Sequence, residues 1–195
     1  MNLPATKENW RRYLIERRDG MEKTHRQAAH GTCSQFLSEL ISPKADMTIA
    51  VYAAMGTELD PAPFVEICWK VGARVVFPQT RFENRTCRLY FSPTTTWAAL
   101  IPTRRGLREP AGIDAVVPAE IDLMVIPGLG FDLRGARLGY GAACYDHFLA
   151  DPTVTAKRVG IGYQVCIVDH LPTESHDQFM DYVVTEQRVY DINRG

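Results

Sequence analysis

The 195-residue chain lacks an excess of charge of either sign: 22 lysines and arginines stand against 23 aspartates and glutamates, a formal net charge of −1. That balance excludes a basic nucleic-acid coat and an acidic tail, so no nucleic-acid partner is expected. No run approaches the roughly 18 apolar residues of a membrane span, so no membrane partner is expected either. The five cysteines (Cys33, Cys68, Cys87, Cys144 and Cys166) are odd in number and widely spaced, with no CxxC pair. They suggest neither a disulfide framework nor a cysteine zinc site, but reduced thiols, largely in the core of a cytosolic protein. HExxH, a Walker loop with its lysine and hydroxyl, and the dinucleotide form of GxGxxG are all missing. Residues 1–20 are charged from Lys7 onward and carry no apolar core, so no leader peptide is expected.

What is present is a globular composition: 46% apolar and 23% charged residues, over a length that buries about 70% of the unfolded surface. One domain is expected across residues 1–195, with helices over 5–41 packed on an α/β core. Trp10 and Leu14 lie four apart, and Arg11, Arg12, Arg17 and Arg18 cover the rest of that first helix. Ala29, Cys33, Phe36, Leu37 and Leu40 form the stripe of a second helix over about 22–41. Residues 1–30 hold Lys7, Arg11, Arg12, Arg17, Arg18, Lys23 and Arg26 against Glu8, Glu16, Asp19 and Glu22, an excess of three positive charges. Such an excess fits a solvated face or an anion site.

TIAVYAA (48–54) reads as a buried strand, PAPFVEICWKVG as a helix capped by Asp60 and stopped at Gly72, and ARVVFP (73–78) as the next strand. This βαβ unit points to an open, mostly parallel sheet with helices on both faces, a three-layer α/β/α fold. Further strands are expected at 87–92, 121–127 and 158–165, with one or two within 181–190.

The chemistry concentrates in PGLGFDLRGARLGYGAACYDHFLA (127–150), where five glycines lie between a strand and a short helix. Converging backbone N–H groups in such a loop can hold phosphate, and Arg134 and Arg137 offer guanidinium donors beside it. The same glycines would equally serve a structural loop. Asp146 follows the glycines, Asp132 precedes them, and Asp177 lies in the later segment LPTESHD. A carboxylate beside phosphate is a natural Mg²⁺ ligand, while Asp177 could instead cap a helix. His147, His170 and His176 read as capped or solvent-facing.

These segments resemble the 5-formyltetrahydrofolate cyclo-ligase family almost end to end. The resemblance rests on Lys7 and Arg11 at a KxxxR spacing, Glu58 in MGTELD, the GLREP turn (106–110), PGLGFDLRGARLGYG followed by YDHFL, and LPTESHD before VVTE. It implies ATP- and Mg²⁺-dependent cyclisation of 5-formyltetrahydrofolate to 5,10-methenyltetrahydrofolate, with release of ADP and phosphate. The implied fold is that shared with sugar-phosphate isomerases and CoA transferases. Lys7 and Arg11 would contact phosphate, and Arg137, Leu138, Gly139, Tyr140, Gly141, Ala142, Ala143, Cys144 and Tyr145 would form the ATP loop. Lys7, Arg11, Glu58, Arg137 and Tyr145 would be the catalytic set. Asp146 and Asp177 would bind Mg²⁺, and Ala53 and Glu58 would line the folate site. Arg104, Arg105 and Arg108 would offer a dock for a polyglutamate tail, or serve as ordinary solvated arginines.

The chain departs from the family's frequent RLGYGGGYYDR, reading RLGYGAACYDHFL. Ala142 and Ala143 replace glycines, Cys144 the first tyrosine, and His147 the arginine. Ala143 should be strained by about 1 kcal/mol if its φ is positive. The alternative to turnover is a divergent member that binds nucleotide or folate with an altered substrate, or without reaction. Cys144 as a covalent nucleophile is a third, weaker alternative.

Overall fold

A computed structural model describes residues 4–84, 86–103, 106–112 and 114–192. The chain opens with α1 (Lys7–Asp19), whose N-cap Thr6 accepts the Asn9 N–H through its side chain, and α2 (Lys23–Ile41). Next come β1 (Thr48–Ala50), α3 (Ala62–Val71), and the long hairpin strands β2 (Arg74–Glu83) and β3 (Thr86–Pro93). A small pair, β4 (Leu100–Pro102) and β5 (Arg108–Pro110), precedes β6 (Leu123–Pro127). The glycine-rich segment then forms β7 (Gly130–Asp132), β8 (Arg137–Leu138) and α4 (Cys144–Leu149). The chain closes with β9 (Lys157–Ile161), β10 (Ile167–Val168), β11 (Tyr182–Val184) and β12 (Val189–Asp191).

Seven strands form the main sheet in the order β12-β11-β9-β6-β1-β2-β3. The five from β11 to β2 run parallel, and an antiparallel strand closes each edge. The central strands are apolar throughout because both faces are covered. Side chains alternate across the pleat. Ile49, Val51, Val75, Phe77, Leu123 and Val125 pack under α1, α2 and α3, while Ala50, Val76, Met124 and Ile126 face the other side. That second face is covered by the six-residue α4, by Phe131, and by irregular segments carrying Val116, Ile121, Val154 and Met180. The expected mostly parallel sheet flanked by helices is observed, with unequal outer layers.

Several boundaries differ from the sequence reading. β1 ends at Ala50, so Val51–Ala54 is loop, not strand. β2 runs five residues past Pro78 because its antiparallel partner β3 supplies the ladder that a parallel neighbour would not. The 158–165 segment leaves the sheet after Ile161, and 181–190 resolves into β11 and β12, paired with one another. Pro61 is the cap of α3, one residue beyond Asp60, whose Oδ1 accepts the Ala62 N–H at 3.0 Å.

The expectation of five reduced thiols is overturned. Cys87 of β3 and Cys144 of α4 form a disulfide with a Cα–Cα separation of 4.9 Å. Packing of α4 against β3 brings together residues 57 apart in sequence, a proximity that wide spacing concealed. The bond also removes the free thiol that a nucleophilic Cys144 would need. Cys33, Cys68 and Cys166 are free and buried. Burial pushes the thiols of Cys68 and Cys166 up to about 12 and about 11, respectively, so both stay protonated. Among the described residues no helix is long and apolar enough to cross a membrane.

Candidate active site

Strand order reverses between β1 and β6, since β2 lies beyond β1 and β9 beyond β6. At such a switch point the loops leave the carboxyl ends of the strands in opposite directions and open a crevice. A cleft of about 530 Å³ lies there, floored by Tyr52 and Ala53 after β1 and by Pro127 at the end of β6.

The glycine-rich segment builds one wall. After β7 the chain reverses at Gly135 (φ +85°), where a Cβ would stand 2.6 Å from the Met180 carbonyl. Asp132 organises this turn: its buried carboxylate accepts the N–H groups of Arg134, Ala136 and Leu171 and two bonds from the Arg134 guanidinium. Asp132 and Arg134 thus have structural roles away from the cleft, which corrects the expectation that Arg134 serves as a phosphate donor. β8 then brings Arg137 to the cleft, and residues 139–143 line it before α4 begins. The loop is held by Arg11, whose Nε donates to the Gly139 carbonyl at 2.9 Å and whose guanidinium packs beside Gly141 (φ +104°). Ala143 caps α4 at φ +52°, the left-handed conformation that penalises its methyl group.

The electrostatics alternate in sign. Arg137, nearly buried, donates through Nη2 to Asp146 Oδ2 at 2.8 Å, while its Nε is buried without a partner. Asp146 Oδ1 accepts the Gln178 N–H at 3.2 Å. Lys7 Nζ sits 2.7 Å from Asp177 Oδ2 and 3.1 Å from Glu174 Oε2. Burial pulls the Lys7 ammonium down, but its bonds to the two carboxylates outweigh this and leave it above its ordinary value. For Asp177, desolvation acts upward and is outweighed by Lys7, the Glu174 N–H and His176, which hold the carboxyl below the usual range. Burial raises Tyr145 against the opposing charge of Arg137, so the phenol keeps its proton. Glu58 is raised, first by desolvation, with the Met55 N–H at 2.9 Å, Tyr140 and Arg18 opposing.

Lys7, Arg11, Ala53, Glu58, the run from Arg137 to Tyr145, Asp146 and Asp177 all line this one cleft. Their separation in sequence is closed by α1 lying across the loop and by residues 174–177 folding back on Lys7. Among the described residues, the side chains close enough to share a metal ion are Glu174, His176 and Asp177; Asp146 stands outside that group on the same cleft. Sequence reasoning missed Met55, Thr80, Phe82, Leu107, Glu109 and Glu174, which also line it. The two β2 residues among them, Thr80 and Phe82, carried a readable signal, a period-2 alternation running on past Pro78. Arg108 lines the cleft and donates to the Trp97 carbonyl at 2.8 Å; Arg104 and Arg105 lie outside the described residues. His147, at the place of the family's arginine, is exposed and bonds the Cys87 carbonyl through Nδ1 at 3.2 Å.

A mostly parallel α/β sheet with a cleft at its switch point defines the class of open α/β proteins, whose ligand crevices lie beyond the carboxyl ends of the strands. Comparison with known proteins narrows that class. The 5-formyltetrahydrofolate cyclo-ligase family matches residues 4–186. The 5-formyltetrahydrofolate cyclo-ligase of Mycolicibacterium smegmatis is 30% identical over 193 residues, covering 95% of this chain and 96% of that one. Its counterpart in Escherichia coli K12 is 30% identical over 147 residues, 74% of this chain and 80% of that one. The solved structure of Aquifex aeolicus 5,10-methenyltetrahydrofolate synthetase superimposes with a TM-score of 0.80 at 27% identity, covering 97% of this chain and 94% of that one. The chain belongs to the 5-formyltetrahydrofolate cyclo-ligase family.

Proposed function

We propose that the protein cyclises 5-formyltetrahydrofolate to 5,10-methenyltetrahydrofolate, consuming ATP and releasing ADP and phosphate. The observation that carries this reading is the convergence of the whole motif-derived residue set on a single cleft. The formyl oxygen is a weak amide nucleophile, so the difficulty lies in moving a phosphoryl group onto it. N10 then closes the ring at the one-carbon centre and phosphate departs with the former formyl oxygen. Such transfer is governed by positioning and charge stabilisation rather than by a protein nucleophile.

The residues fit those demands. Arg11, with no bond from its Nη atoms among the described residues, and Arg137, bonded to Asp146 through Nη2, both line the cleft. They supply donors to a polyphosphate, with Lys7 beside them. Asp146, Asp177 and Glu174 offer oxygen ligands only, the donor chemistry Mg²⁺ prefers. Mg²⁺ bound there would neutralise charge on the phosphates. Tyr145 stays protonated and can donate. Ala53 and Glu58 belong to the folate side, where a carboxylate accepts N–H groups from the ring edge. A cytoplasmic location is part of the same proposal; there the Cys87–Cys144 bond would meet reducing thiols.

The test is the near-UV absorbance of the methenyl product. Purified protein with substrate, Mg²⁺ and ATP should develop it, and omission of ATP should abolish it. No product above background at high enzyme concentration would refute the reading. Asp146→Asn and Lys7→Ala should each lower kcat on the order of a hundredfold, because their interactions strengthen toward the transition state. A second reading, binding without turnover, draws support from strained Ala143 and disulfide-bonded Cys144 in the loop. Calorimetric binding of nucleotide or folate with no ATP consumption would favour it.

A further inference from the structure

We propose that Arg18 is a positioning residue for this site, holding Tyr140 and the Glu58 carboxylate from behind the cleft wall. The inference rests on the cyclo-ligase reading, since it assigns Glu58 the task of gripping the folate ring edge.

Arg18 lies in the last turn of α1, eleven residues after Lys7 and seven after Arg11. At 100° per residue these three side chains fall within about 40° of one another, on a single face of the helix. Arg12 and Arg17, on other faces, are exposed, whereas the Arg18 side chain is only 8% exposed. Burying a guanidinium is costly without partners, and those of Arg18 are few. Nη1 donates to the Tyr140 hydroxyl at 3.1 Å, and the group lies 5.9 Å from the centre of that ring. Nε is buried without a hydrogen bond, with Asp19 Oδ1 3.8 Å away. Asp19 is half exposed and also accepts the Thr57 hydroxyl. A buried cation with an unused donor gains from a second negative charge, and the Glu58 carboxylate, which makes no ion pair with it, acts on it through space.

Glu58 has the reciprocal need. Its Oε2 accepts the Met55 N–H, and its backbone carbonyl accepts the Tyr163 hydroxyl at 3.3 Å. The titratable groups facing it are Tyr140 from the loop, Tyr145 from α4 and Tyr52 after β1, all phenols, with Asp60 acting on Tyr52 from the same loop as Glu58. Arg18 is the cation acting on it among the described residues. A buried carboxyl without a cation takes up a proton and then donates where it should accept. Arg18 opposes that outcome and aligns Tyr140, the phenol whose hydroxyl acts on the Glu58 carboxyl from the loop. It does not line the cleft, so it acts through these two residues and not on substrate.

The experiment measures kcat and KM for Arg18→Met and Arg18→Lys across the acid and alkaline limbs of the pH profile, since burial raises the Glu58 carboxyl. Arg18→Met should raise KM for 5-formyltetrahydrofolate and move the acid limb of kcat/KM to higher pH. The loss should be on the order of tenfold at the acid end and within about threefold at the alkaline end. KM for ATP should not move, and Arg18→Lys should restore most of the profile. In parallel, ¹³C NMR of the Glu58 carboxyl should show its titration moving upward in Arg18→Met without any turnover. Should that variant not fold, Arg18→Gln replaces it. A uniform loss at every pH, or a Glu58 titration unmoved by loss of the charge, overturns the inference. If the wild type forms no product, the reading of the site falls, and the NMR titration still decides whether Arg18 governs Glu58.

Discussion

Ala143 stands where the backbone turns left-handed, at φ +52°, one residue before α4. The methyl group there costs about 1–2 kcal/mol relative to glycine, and glycine gives back about 0.4–1 kcal/mol through the freedom of the unfolded chain. Ala143→Gly should therefore stabilise the protein by roughly 0.5–1 kcal/mol, raising Tm by about 1–4 °C in thermal unfolding. A lower Tm would mean that the loop is not strained at this position. Glu58 gives a second prediction at this scale. Its folded pKa is raised, chiefly by desolvation. Its favourable contribution is thus complete below the unfolded value of about 4.3 and is lost as pH rises through the folded value. Glu58→Gln should be more stable than wild type near pH 7, with the advantage shrinking as pH falls toward 4, while folate turnover drops. Denaturant titrations at several pH values check this; an advantage that grows on acidification would contradict it. Single residues were unevenly legible in the sequence. Arg137 and Asp146 stood out because the signature is local and dense. Arg18 did not, because the fifth basic side chain of α1, directly after the exposed Arg17, looks like more solvated surface until its angular position on the helix is compared with those of Lys7 and Arg11.

The disulfide operates at the scale of elements. Cys87 lies on β3 and Cys144 in the first turn of α4, so the bond fixes one end of the glycine-rich loop to the sheet edge. His147 adds a second tie through the Cys87 carbonyl. In the chain-entropy account, a link between residues 57 apart stabilises by up to about 4 kcal/mol, an upper figure because strain and residual structure subtract from it. Alkylation of the oxidised protein in denaturant should label three thiols, and labelling after reduction should reach five. Five labels without reductant would show that the bond does not form. Cys87→Ser with Cys144→Ser should lower Tm and loosen the loop, read as faster amide exchange across residues 139–147. No sequence pattern announced this pair, because it depends on which strand edge a six-residue helix covers. The βαβ unit was legible for the opposite reason: its strands alternate across two buried faces and its helix carries its own stop at Gly72.

At the scale of the whole molecule, the near-zero net charge is an average over a segregated arrangement. Lys7, Arg11 and Arg18 occupy one face of α1; Lys7 and Arg11 line the cleft, Lys7 paired with Glu174 and Asp177, while Arg18 lies behind the wall beside Tyr140. The fold provides the crevice by reversing strand order between β1 and β6; α1, an addition to the sheet, brings Lys7 and Arg11 to it, beside Arg108 and Arg137. The general architecture followed from periodicity and glycine placement. The location of the cleft did not, because switch points depend on strand order, which sequence alone leaves open. The account's central claim is that this crevice couples phosphoryl transfer to ring closure. The most direct test measures phosphate released and methenyl product formed in the same reaction with ATP, Mg²⁺ and 5-formyltetrahydrofolate. The account predicts one phosphate per product, with neither appearing when ATP or the folate is omitted. Phosphate released without methenyl product, or product formed without ATP, would contradict it.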